Sequence, residues 1–442
     1  MLFTNKDLKN MIVPLFFEQL LMMMVGIADT FVVSFVGESA VSGVSLVNMF
    51  NTVFIYLFTA LASGGAVIIS QYIGNKDEEN SIKSSSQLLM FSTVFSIILG
   101  VFVLIFNKGL LRLLFGSVDN SVMDACVTYL RISAYSYPFL AIYNAGAALY
   151  RSLGKTSATM YVSIISNVIN VIGNLIGVFV LEAGVAGVAY PSLIARAFSA
   201  VAITILCFEK KYKTHYEMKW TLYWDKNMLN KILKIAIPNG VENGIFQLVK
   251  VALSSVVALF GTYQIAANGI AQSIWSLAAL IGCAMGPVYI TVIGQCVGAN
   301  DLDAATYYFK KINKLTLILS IIWNVIIFVI TPFFMRFYAV SSETRKLVII
   351  LVLIHNIFNT VAFPLSGPLS NGLRAAGDVK YTMIISIAST VLVRLVFSII
   401  FGIYLNMGVI GIAIAMCLDW TIRAVIFYLR FKSNKWKEFK II

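Results

Sequence analysis

Long apolar runs alternate with short polar gaps along almost the whole chain. Twelve runs stand out, at about residues 11–33, 44–73, 86–106, 125–150, 158–181, 185–208, 232–259, 267–297, 312–335, 347–373, 381–405 and 409–429. Each reaches or exceeds the roughly 20 residues that a helix needs to cross a bilayer. Several are longer, which predicts tilt, kinks or projection beyond the lipid. Backbone N–H and C=O groups must be paired within the segment in lipid, and the period-two alternation of barrel strands is missing. The pattern therefore predicts an all-α integral membrane protein with twelve transmembrane helices.

The pattern also repeats. At an offset of 224, Pro14, Glu18, Val25, Ala28, Gly37, Gln71, Gly74 and Asp77 fall on Pro238, Glu242, Val249, Ala252, Gly261, Gln295, Gly298 and Asp301. Farther on, Gly184, Val185, Gly187 and Ala189 meet Gly408, Val409, Gly411 and Ala413 at the same offset, while Arg151 and Gly154 meet Arg374 and Gly377 at 223. Six helices are thus repeated as six. An even number per repeat predicts two lobes in the same orientation, related by a pseudo-two-fold axis along the membrane normal, with the pathway between them at mid-depth. The expected organisation is an amino-terminal lobe over 1–208, a basic linker over 209–230 and a carboxy-terminal lobe with a short basic tail over 231–442.

Composition sharpens this picture. Charged residues make up 12% of the chain and apolar ones 59%, against about 25% charged in soluble domains. The net charge of +13 sits in the gaps between apolar runs, not on a basic face with interleaved aromatics, which argues against a nucleic-acid partner. With the amino terminus inside, cytoplasmic segments hold 23 of the Lys and Arg residues and the opposite side five, so both termini are expected in the cytoplasm. The first span lacks a signal-peptide cleavage pattern and is expected to be an uncleaved anchor. The five cysteines are scattered without a CxxC pair and read as small apolar residues. No HExxH, GxSxG or P-loop is present, so the chain is not expected to be an enzyme, and active transport would have to draw on an ion gradient or the membrane potential.

Acids inside apolar runs are costly and mark candidate sites. Asp29 lies in the first span, and its counterpart at the offset of 224 is Leu253. Either it binds a cation or proton in a proline-containing helix, or it hydrogen-bonds a neighbouring helix. In the fifth span Ser163, Asn167, Asn170 and Asn174 share one helix face. Facing Asp29, they would complete an oxygen-rich cation site; they equally suit interhelical adhesion. Glu18 and Glu242 recur at one place in each half, four residues after a proline, which favours a shared structural or gating role. Lys250, about two turns beyond Glu242, is expected to neutralise that acid, the alternative being an anionic group of a substrate. Asp419 and Arg423 are spaced to pair with each other. His355 is either a proton relay or a satisfied polar group.

The segments PLFFEQLLMMMVGIADTFVVSFVG, SQYIGNKD, YRSLGK and GVAGVAYPS, with their partners PNGVEN, GQCVGAND, LRAAGD and GVIGIA, give the chain a resemblance to the multidrug and toxic compound extrusion (MATE) family over nearly its whole length. The resemblance implies two six-helix lobes around a central cavity and export of amphipathic, often cationic compounds in exchange for H+ or Na+. It places the cation-coupling site at Asp29, Asn170, Asn174 and Ser192, with Na+, if used, at Asp29, Asn170 and Asn174. Two departures stand out: Asn174 where many relatives carry a second acid, and Ser192 where a threonine is expected. No second acid is evident near Phe363 in the tenth span. The expected protein is a monomeric, multi-pass plasma-membrane antiporter without cofactors, whose partners are a small amphipathic substrate and the lipid bilayer. The alternative is a flippase for a lipid-linked precursor.

Overall fold

The computed structural model describes residues 2–442, which contain helices and no strand. By packing, the chain forms two compact units, one over Asn5–Gly240 and one over Val241–Ile442 together with residues 2–4.

The amino-terminal unit begins with α1 (Asn5–Ser34), α2 (Glu38–Gly74) and α3 (Glu78–Phe115). At 37 and 38 residues and about 1.5 Å per residue, α2 and α3 outreach the roughly 30 Å hydrocarbon layer, as the long runs predict. The fourth apolar run is two helices, α4 (Asn120–Tyr135) and α5 (Tyr137–Ser152), interrupted at Ser136. Pro138 stands at the start of α5, where its missing N–H is least costly. Next come α6 (Thr156–Leu175), prolonged by a π turn over Ile176–Val180, and α7 (Ala186–Phe208). A short helix α8 (Met218–Thr221) then precedes α9 (Lys226–Val257), within which the packing boundary falls.

That boundary lies later in the chain than the basic stretch 209–230, and side-chain bonding supplies the reason. Gln87 on α3 is fully buried. Its amide donates to the carbonyls of Trp220 and Tyr223, and its oxygen accepts from the Asp225 N–H at 2.9 Å. Lys83 forms an ion pair with Asp225, Ser86 Oγ accepts from the Glu217 N–H at 3.0 Å, and the Ser81 and Thr214 hydroxyls lie 2.9 Å apart. The stretch is stapled onto α3. Partial burial opposes the charge on Asp225, but the Lys83 hydrogen bond and backbone N–H groups outweigh it and hold the carboxyl below its usual range.

The carboxy-terminal unit continues with α10 (Thr262–Ala278), α11 (Leu280–Gly298), α12 (Leu302–Phe334), α13 (Ser342–Ala375), α14 (Val379–Ala388), α15 (Val396–Ile399) and α16 (Val409–Lys432). The eighth apolar run is therefore also broken, at Ala279. Side chains take the carbonyls beside the break: Trp323 Nε1 donates to Leu277 at 2.8 Å and Asn359 Nδ2 to Ala278 at 3.0 Å. Such replacement partners are what broken helices require in lipid. The eleventh run carries two π segments, Ser389–Leu395 and Ile400–Tyr404. Among the described residues eleven helices are individually long and apolar enough to cross; α4 with α5 supplies the twelfth crossing.

The repeat is visible in local geometry. The π turn at Ile176–Val180 returns at Ile400–Tyr404, 224 residues later. Beside it, a Cβ on Gly177 would lie 2.2 Å from the Gly187 carbonyl oxygen, and one on Gly411 would lie 2.7 Å from the Gly402 nitrogen. Both units thus close a helix pair through glycines, as membrane helices do where backbones approach. The segment Ser389–Leu395 has no π partner at either offset in the amino-terminal unit. A π turn accommodates one residue more than an α turn, and across this segment the offset slips from 223 to 224.

Candidate functional site

Asp29, Asn170, Asn174 and Ser192 come together in the amino-terminal unit. Asn170 Nδ2 donates to both Asp29 carboxylate oxygens at 3.2 Å, and Asn174 Nδ2 donates to Oδ1 at 2.5 Å. Ser192 Oγ on α7 donates to Asn170 Oδ1 at 3.2 Å, which fixes the amide with its nitrogen toward Asp29. Both asparagines are buried, and Asn174 Oδ1 is left without a hydrogen-bond partner. The α1–α6 contact is thus polar toward the carboxy-terminal ends of both helices because the four- and three-residue steps on α6 turn these amides toward α1. Asn167, on the same stripe, has a buried, unpartnered Nδ2 and is not bonded to Asp29.

Arg196 is a participant that inspection of single spans misses. It lies within Coulombic range of Asp29, and its Nη1 donates to Ser136 Oγ at 2.7 Å, at the α4–α5 break. Its position one turn after Ser192 on α7 was the available signal.

Glu18 does something else. It is buried, accepting from Arg151 Nη2 at 2.8 Å, the Tyr143 hydroxyl at 3.0 Å and the Thr159 hydroxyl at 3.2 Å. In the other unit Glu242 accepts from Arg374 Nη2 at 2.5 Å, and the Arg374 Nε donates to the Thr382 hydroxyl at 3.3 Å. Glu18 and Glu242 are 224 apart; Arg151 and Arg374, and likewise Thr159 and Thr382, are 223 apart. A Glu–Arg–Thr clamp therefore occurs in both units, with the threonine bonded to the glutamate in one and to the arginine in the other: it ties α1 to α5 and α6, and it ties α9 to α13 and α13 to α14.

This corrects the expectation for Lys250. Arg374, not Lys250, neutralises Glu242, and among the described residues Lys250 has no acidic partner. Asp419 pairs with Arg423 at 2.8 Å, and Ser389 Oγ donates to it at 2.5 Å. His355 is buried with no hydrogen-bond partner on either ring nitrogen.

Twelve crossings in two repeated groups of six, with the Asp29 carboxylate held by amides inside one group, make this a multi-pass membrane protein. The chain belongs to the MatE family: the family model matches residues 14–176 and again 238–400, spaced by the offset of 224 found within the chain itself. It is 26% identical to an uncharacterized transporter, YisQ, of Bacillus subtilis (strain 168), over 96% of this chain and 93% of the relative. It is 22% identical to a probable multidrug resistance protein, NorM, of Thermotoga maritima, over 98% and 93%. Its fold is similar to a solved structure described as the outward-facing conformation of a multidrug resistance MATE family transporter of the MOP superfamily, with a TM-score of 0.88 and 19% identity over 97% and 95% of the two chains.

Proposed function

We propose that this transporter is a cation-coupled antiporter of the cell membrane, with both termini cytoplasmic, that exports amphipathic compounds by alternating access as a monomer. The observation that carries the reading is the Asp29 carboxylate held by Asn170 and Asn174 inside the amino-terminal unit. A carboxylate at this depth favours a bound cation or proton, and three N–H bonds stabilise its charged form until one arrives. A proton entering at Asp29 removes the charge those bonds recognise. Sodium instead requires the Asn170 and Asn174 amides to turn their oxygens inward, and Asn174 Oδ1 has no other partner to give up. Protonation thus loosens the α1–α6 contact, whereas sodium rebuilds it around the ion. Ion and substrate are exchanged because each favours a different state; a ligand that bound both states equally would shift nothing.

The test is dye efflux from proteoliposomes under a proton gradient and, separately, a sodium gradient, with Asp29→Asn alongside. Efflux driven by one gradient and lost in the variant supports the reading and names the ion. Unimpaired efflux by a well-folded Asp29→Asn protein overturns it.

A further inference from the structure

The polar centre of the carboxy-terminal unit has the opposite charge. Arg394 is 6% exposed and lies 3.8 Å from Asp419 Oδ2, beyond hydrogen-bond distance. The oxygens of Asp419 are already taken, one by Arg423 and the other by Ser389. Arg394 Nη1 is buried without a hydrogen-bond partner, an arrangement that is destabilising for a charged group unless something else occupies it. Lys250 and His355 both lie within Coulombic range of Arg394. Two arginines therefore share one acid, and Lys250 adds a third positive charge with no acidic partner. Aromatic side chains lie alongside. The Phe246 ring, one turn before Lys250, covers the Arg394 guanidinium at 4.9 Å. Trp275 stacks on Trp420 at 5.5 Å, next in sequence to Asp419, with its own Nε1 buried and unpartnered.

The internal repeat makes the contrast positional. Asn170, which holds Asp29, falls at the offset of 224 on Arg394; Gly26 falls on Lys250, and Asp29 itself falls on Leu253. Arg394 is carried in the π segment Ser389–Leu395, the one-residue insertion that the amino-terminal unit lacks. π turns are frequent at functional sites.

We propose that the carboxy-terminal unit recognises an anionic group, a carboxylate or sulfonate on an aromatic body, with Arg394 and Lys250 supplying the charge and the neighbouring aromatic rings the apolar contact. The transported class is then amphipathic acids or zwitterions and not simple lipophilic cations. This rests on reading the chain as an exporter of amphipathic compounds.

The experiment is equilibrium binding to the full chain in mild detergent micelles, read by energy transfer from tryptophan to pyrene. The probes are 1-pyrenebutyrate and a trimethylammonium compound with the same pyrenylalkyl body. The wild type is expected to bind the carboxylate at least about tenfold more tightly than the ammonium, the scale of one charge-assisted hydrogen bond. Lys250→Gln and Arg394→Gln each lose about that factor for the carboxylate alone, and Lys250→Arg retains it. Arg394→Gln sits beside a buried acid and can fail to fold, whereas Lys250→Gln breaks no ion pair and decides the matter by itself. Preference for the ammonium, or unchanged carboxylate binding in Lys250→Gln, overturns the proposal. Binding in micelles needs no gradient, so failure of ion-driven efflux would sink the antiport reading and leave this result standing.

Discussion

Replacing Arg151 with methionine tests whether the repeated clamp is structural. The substitution keeps the apolar stem and removes the guanidinium, leaving Glu18, 4% exposed, with only two neutral hydroxyl donors, Tyr143 and Thr159. Breaking a buried pair by removing one partner costs about 3–5 kcal/mol, because the remaining charge stays desolvated. The two hydroxyls soften the loss, so the lower end, about 3 kcal/mol, is the working figure. For a unit the size of residues 5–240, each kcal/mol moves the thermal midpoint by roughly 2–4 °C. Arg151→Met should therefore lower the midpoint in micelles by about 6–12 °C, followed by tryptophan fluorescence. Adding Glu18→Gln to the same protein removes the orphaned charge and should restore more than half of the loss, a coupling that a double-mutant cycle reads directly. A single variant within about 2 °C of wild type, or a double variant less stable than the single, would refute the argument.

Arg374→Met should also lower the midpoint, by less than Arg151→Met, because the Glu242 side chain is 16% exposed against 5% for Glu18 and is more readily hydrated once unpaired; an unchanged midpoint there would show that the second pair does not hold its unit together. Asn174→Ala removes the shortest bond to Asp29 and should cut ion-driven efflux at least about tenfold while expression and the midpoint hold; wild-type rates would count against the coupling site. Gly187→Ala places a Cβ 2.5 Å from the Gly177 carbonyl oxygen and should cost about 1–3 kcal/mol through overpacking, whereas Gly109→Ala, with open space around it, should be silent by the same thermal assay. Asp225 is held below its ordinary range, so its contribution is present above the unfolded pKa of about 3.9 and lost as pH falls through the depressed folded value. Pepsin should accordingly nick the 209–230 stretch faster at pH 2 than at pH 4, measured against another cleavage site, and Lys83→Ala should flatten that difference.

Hydropathy and repetition made the helices and their sixfold grouping legible, because both follow from the bilayer. Asp29 was also legible as an expensive acid, and the α6 stripe as a helix face; that the two meet is a matter of packing. The Glu18–Arg151 and Glu242–Arg374 pairs were not joined in advance, although all four residues appeared in the repeat, because their partners lie 133 and 132 residues apart. Nearness in sequence instead suggested Lys250 for Glu242. The breaks at Ser136 and Ala279 are hidden from hydropathy, since apolar side chains continue through them. The π insertion left one trace in the sequence, the slip from 223 to 224, whose meaning needed the backbone.

The clamp that recurs in both units and the polar centres that do not have different histories. A half-length ancestor with a Glu–Arg–Thr clamp, duplicated and fused, would pass that clamp to both descendants, where losing it would endanger folding. The positions held by Asn170 and Arg394 belong to no such clamp, and a single-residue difference between the copies would be enough to reshape a helix. Within one fused chain the two copies now differ in charge: one holds a carboxylate among amides, the other a surplus of positive charge.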